Sequence, residues 1–188
     1  MVTDATKSST TSTRGTAVLQ PDLPPDTTIA RAGLSAWCQG ITVTAIQRLI
    51  DRISVAGDQA DANVVANGPG VPGAGAPDAA KVSADNVRKG QRRLTQLIDD
   101  LRNANMLSPS GELVNAVGGY AVYNRTREVI LDLHYARHFA AVSAAWNSKR
   151  DPSGALACIT SVTEILGDLE PFSIQATRCY LSIWYPNM

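Results

Sequence analysis

Net charge is the first thing this sequence lacks: seventeen Lys and Arg balance seventeen Asp and Glu. That balance excludes a surface that coats nucleic acid indiscriminately. A long apolar run is missing too, with nothing near the roughly 20 residues that span a bilayer, so no membrane partner is expected. No charged-then-apolar leader opens the chain, and we expect an intracellular, soluble product. Cysteine is sparse. Cys38, Cys158 and Cys179 are odd in number, widely spaced and set among apolar neighbours, the pattern of small buried thiols. The sequon Asn124-Arg125-Thr126 is, in a chain without a leader, a chance match.

Local signatures of catalysis are also absent. There is no GxxxxGK[ST], and the glycine-rich stretch 68–75 lacks the strand before and helix after that a phosphate cradle needs. No Ser-His-Asp or Cys-His arrangement is signalled. His134 and His138 are four apart on one helix face, but His-Tyr-Ala-Arg-His is not HExxH, and a metal site needs a third ligand. Arg137 beside them repels a cation. Glu128 and Asp132 form an i, i+4 carboxylate pair that shares a proton if buried; the simpler reading is ion pairing with Arg125 or Arg127. No enzyme, cofactor or metal is expected.

What is present is mostly helical pattern. Residues 1–33 are rich in Thr, Ser, Pro and Asp, too poor in large apolar groups to offset the entropy of ordering, and read as a flexible arm. Residues 34–188 read as a single core domain. Trp37 is its first anchor. Ile46, Leu49, Ile50 and Ile53 are spaced for a first helix that stops at Gly57. Residues 58–80, through NGPGVPGAGAP, read as a long surface loop. From Ser83 as N-cap, a second helix runs to about Met106 with Leu94, Leu97, Ile98 and Leu101 as its stripe; Lys81, Arg88 and Arg92 fall on the opposite face. ELVNAVGGY gives a short helical piece ending at Gly118-Gly119.

The segment 120–148 is the longest candidate helix and is apolar on two sides. One carries Val129, Ile130, Leu133, Ala136 and Ala140, the other Leu131, Tyr135, Phe139, Val142 and Trp146. A helix apolar all round is covered by its own fold or by neighbouring subunits. Asp151-Pro152 caps a further helix, and PFSIQATRCYLSIW reads as a last one reaching Trp184. These segments give an all-α bundle of five to six helices.

Charge is unevenly placed. Residues 81–150 hold eleven Lys and Arg against six Asp and Glu, and Arg outnumbers Lys thirteen to four overall. Arg88, Lys89, Arg92 and Arg93 open one helix and Arg125 and Arg127 another, so they can line a groove in which each reaches a backbone phosphate. Tyr120 and Tyr123 sit beside them as stacking platforms for unpaired bases. The alternative is a solvated face, or salt bridges within the protein.

The Ser/Thr/Pro-rich arm, the small helical core, the zero net charge and the local arginine cluster together resemble the coat proteins of rod-shaped or flexible filamentous plant RNA viruses. The nearest local match is RHFAAVSAAWN at 137–147, which resembles the Phe-Ala and Trp-Asn landmarks of the flexible families' core helix; LGDLEP at 166–171 is loosely similar to a further segment. Their phenylalanine-rich segment has no counterpart here. The resemblance implies a subunit that self-assembles helically around single-stranded RNA, found in virions and host cytoplasm, with Arg125 and Asp132 as counterparts of a charge pair held near the RNA. A neutral subunit does not repel its neighbours. The competing expectation is a homo-oligomeric helical interaction or assembly protein without nucleic acid. A third, a small helical enzyme using His134 or Glu128, requires a saturable pocket.

Overall fold

The computed structural model describes residues 36–185; the expected arm at 1–33 lies outside them. A single 3-10 turn, Ala36–Cys38, precedes four long helices: α1 (Val43–Asn67), α2 (Pro77–Asn103), α3 (Val117–Trp146) and α4 (Ser153–Leu181). At about 1.5 Å rise per residue each is roughly 40 Å long. Each packs on the next and α4 returns to α1, giving a closed four-helix bundle in which neighbours run antiparallel. The chain is all-α, with four helices and not five or six among the described residues.

The helix count falls for reasons that are local and physical. The expected stop at Gly57 is mid-helix: a Cβ there would lie 2.5 Å from the Arg88 guanidinium, so the glycine lets Arg88 lie across α1. Residues 58–67 continue α1, because their polar side chains find distant partners. Asn63 donates to the Ser143 hydroxyl at 3.1 Å, and Asn67 donates to the Asp151 carbonyl at 2.7 Å. The loop shrinks to 68–76 and is held by Asn147, whose side chain accepts from the Gly75 N–H and donates to its carbonyl.

α2 starts at Pro77 rather than at Ser83, as proline at the first helical position favours. Ser83 is buried mid-helix and donates to the Ala136 carbonyl. Gly118-Gly119 opens α3 instead of ending a shorter piece, and Asn115 accepts from the N–H groups of Val117 and Gly118. Pro171 lies inside α4, where a break had been expected.

Apolar stripes do meet in the middle. Ile46 and Ile53 of α1, Leu94, Leu97 and Leu101 of α2, Val129 and Leu133 of α3, and Val162, Ile165 and Leu169 of α4 are almost wholly buried. Cys38, Cys158 and Cys179 are buried as well, but only Cys158 is a free thiol. Cys38 and Cys179 are joined as a disulfide across 141 residues, correcting the expectation of three thiols. The sequence gap is large, yet the turn before α1 and the last turns of α4 share one end of the bundle. There Arg178 lies over the Trp37 ring, 4.5 Å from its centroid, and Gln175 donates to the Gln39 carbonyl.

Candidate nucleic-acid interface

Antiparallel packing of α2 on α3 brings Lys89, Arg93 and Arg125 together with Asp132, and adds two carboxylates. Lys89 Nζ is 3.2 Å from Asp132. Arg93 donates through Nε to Asp132 at 2.7 Å and through Nη1 to Glu128 at 2.5 Å. Arg125 donates to Glu128 and to Asp100, each at 3.1 Å. The order along the seam is Lys89, Asp132, Arg93, Glu128, Arg125, Asp100, a ladder in which cation and carboxylate alternate and three charges cancel three.

Burial makes this pairing obligatory. Asp132 is 5% exposed, and a carboxylate so placed costs several kcal/mol unless cations and donors surround it, on the order of the desolvation of one ion. The Glu128/Asp132 pair is therefore built as an ion-pair partner set. Arg125 and Arg93 serve it, and Arg127 does not. The contribution of Asp100, seven to twelve residues from the basic cluster in sequence and a turn before the end of α2, is not among the residues read from the sequence. Its only sequence signal is an acid on the side of α2 where Arg93 lies.

Arg88 leaves this seam for the other side of α2. Its Nη2 donates to Asp58 and Asp61, at 2.6 Å each. It holds its proton more firmly than a free guanidinium, first through the hydrogen bond to Asp61 and then through that to Asp58. Lys81 pairs with Asp85. Arg92 and Arg127 remain exposed, with no ion pair to a described residue; the Arg127 guanidinium stands 5.9 Å from the Tyr123 ring centroid. Since Arg93 meets Glu128, Arg92 and Arg127 lie at one level of the α2–α3 pair. Tyr120 packs on Tyr180 with ring centroids 5.0 Å apart.

Of the seven residues read from the sequence as an RNA contact, Arg88, Lys89, Arg93, Arg125 and Asp132 are thus engaged in ion pairs inside the bundle, on two different seams. A phosphate can take Arg93 or Arg125 only by displacing carboxylates already in place. His134 meets Glu170 of α4 at 3.3 Å, and the His138 ring packs edge-on to Phe139. Among the described residues no three His, Cys, Asp or Glu gather to hold a metal, and no helix is long and apolar enough to cross a membrane. A hollow of about 440 Å3 beside Val43 and Leu107 and another of about 600 Å3 beside Trp37 are lined by neither His134 nor Glu128.

On the second apolar side of α3, Phe139 and Val142 are half-buried and the other three residues are uncovered. Leu131 is 55%, Tyr135 58% and Trp146 70% exposed, while Val129, Leu133, Ala136 and Ala140 on its other side fill the core. Comparison of the chain with family models, with curated proteins and with solved structures finds no match.

Proposed function

We propose that this protein is a structural subunit that acts by assembling with copies of itself. The observation that carries this reading is the uncovered side of α3: Leu131, Tyr135 and Trp146, large apolar groups spaced four and eleven residues apart, on a chain that has few aromatics to spare. Exposed patches of this kind mark protein contacts. Both expectations drawn from the sequence, the coat subunit and the assembly protein without nucleic acid, need such a contact. The ion pairing of Lys89, Arg93 and Arg125 favours the second.

Packaging of single-stranded RNA in virions or host cytoplasm stands as the second reading, supported by Arg92 and Arg127, two exposed guanidinium groups without an ion pair among the described residues, at one level of the bundle and with Arg127 beside Tyr123. Sedimentation of the purified full chain tests the main reading, and a discrete monomer at all concentrations would overturn it. The absorbance ratio at 260 and 280 nm of the same sample separates the two. Nuclease-protected RNA lost on charge reversal at Arg92 and Arg127 supports the coat subunit; nucleic-acid-free assemblies that the reversal leaves intact support the other.

A further inference from the structure

The outer line of α4 complements the outer line of α3. Leu156, Thr160, Thr163, Gly167, Pro171 and Ile174 follow one another at helical spacing and carry no charge, and small groups occupy its middle. Gly167 is the unusual member. A glycine inside a helix costs about 1 kcal/mol relative to alanine, and the other helical glycines of the described chain each face an atom that a Cβ would meet. At Gly167 a Cβ would meet nothing within 4 Å. The fold itself therefore has no use for the missing side chain, whereas a close neighbour from outside does.

Pro171 adds a chemical feature at the same place. It has no N–H, so the Gly167 carbonyl lacks its helical donor four residues on, and no Cβ shields it. Beside it opens the hollow of about 600 Å3 lined by Trp37, Gly167, Glu170, Pro171, Ile174 and Arg178. An aromatic side chain with a polar N–H or O–H tip fits that chemistry: the ring against Pro171 and Ile174, the tip toward the Gly167 carbonyl.

The chain exposes such rings itself. We infer that the partner is a second copy, docked head-to-tail, with α3 of one copy lying antiparallel along α4 of the next. Tyr135 set opposite Pro171 brings Leu131 to Ile174, Val142 to Thr163 and Trp146 to Thr160 in one register. Charge agrees. Between Ser153 and Ile174 the charged residues of α4 are all acidic, Asp168 and Glu170 meeting Arg52 and His134 of their own chain and Glu164 exposed, whereas from Leu133 to Arg150 α3 and its end carry Arg137, Lys149 and Arg150.

Area agrees as well. With 150–250 Å2 for an aromatic side chain, Leu131, Tyr135 and Trp146 offer on the order of 350 Å2, approaching half of the roughly 800 Å2 per partner of a stable interface. An interface between two different faces of one chain does not close on itself, so it propagates into a ring or an open helical filament.

The inference rests on the self-assembly reading, and two variants of the full chain separate its failure from that of the reading. Tyr135→Glu blocks the α3 face. Gly167→Lys fills the α4 groove without a clash inside the bundle. Each variant, checked for unchanged helix content, is expected to self-associate about thirtyfold more weakly or worse and to sediment as a monomer. A one-to-one mixture should then give a heterodimer and nothing larger, because one good α3 face and one good α4 groove remain. Wild-type-like assembly by Gly167→Lys, or a Gly167→Lys homodimer, would overturn the inference in favour of another interface such as α3 on α3. A monomeric wild-type chain would overturn the self-assembly reading itself.

Discussion

Two glycines with opposite surroundings show how much a single residue's meaning depends on what lies beyond it. A Cβ on Gly119 would sit 2.8 Å from the Ala176 carbonyl and 2.9 Å from Cys179 Sγ, backbone and a cross-linked sulfur that cannot swing aside. Gly119→Ala is expected to lower stability by about 1–3 kcal/mol, the cost of overpacking. Gly167→Ala meets open space and should raise stability by up to about 1 kcal/mol. Thermal unfolding of both variants checks the pair, and a matching sign would refute it. The charge ladder gives a third test at this scale. Arg93→Met leaves Asp132 with only Lys89 and is expected to cost about 1–3 kcal/mol, as an undercompensated buried acceptor does.

Helices were legible where their apolar stripe alone decides. Ile46, Leu49, Ile50 and Ile53, and Leu94, Leu97, Ile98 and Leu101, are all buried as the spacing required. Ends were not, because they depend on distant atoms. The tail of α1 is polar and reads as loop until Ser143 and the Asp151 carbonyl are placed beside Asn63 and Asn67. Gly57 reads as a stop until Arg88 lies over it. Within the candidate site the basic residues were legible, but their partners were not: Asp58, Asp61 and Asp100 belong to no motif and meet the arginines only through packing. The two-sided apolar character of α3 was readable, yet which side the bundle leaves bare was not. The start of α4 carries its own prediction. Asp151 accepts from the Ser153 N–H at 3.0 Å, and the hydrogen bonds from Ser153 hold its carboxyl below the usual range. A depressed acid stabilises the folded state above its unfolded value, near 4, and loses that contribution as pH falls through the folded value. Protection of the amides in the first turn of α4 against exchange, taken relative to the intrinsic rate at each pH, should therefore fall on acidification below about pH 4, and Asp151→Ala should remove that dependence; an unchanged profile in the variant would count against a role for this hydrogen bond.

At the scale of the whole molecule, the oxidation state of the sulfurs is the most direct check on the fold. Unfolded without reductant, each chain should present one thiol to an aromatic disulfide reagent, from Cys158, and after reduction three. In the folded chain Cys158 should stay unreactive, since burial raises its pKa and keeps it protonated. Three thiols before reduction would dissolve the staple. A bond enclosing so many residues restricts the unfolded chain strongly, and Cys38→Ser is expected to cost about 2–4 kcal/mol. Disulfides persist in oxidising surroundings, so alkylation at the moment of lysis reports where the chain folds.

That same bond closes residues 38–179 into a covalent ring that contains almost all of the bundle. A protease that cuts once in 68–76, 104–116 or 147–152 opens the ring without releasing a fragment. Tension applied to the segments outside it runs from Cys38 straight to Cys179 and bypasses the four helices. A copy held in a larger assembly by its ends can therefore be pulled without its core being drawn apart.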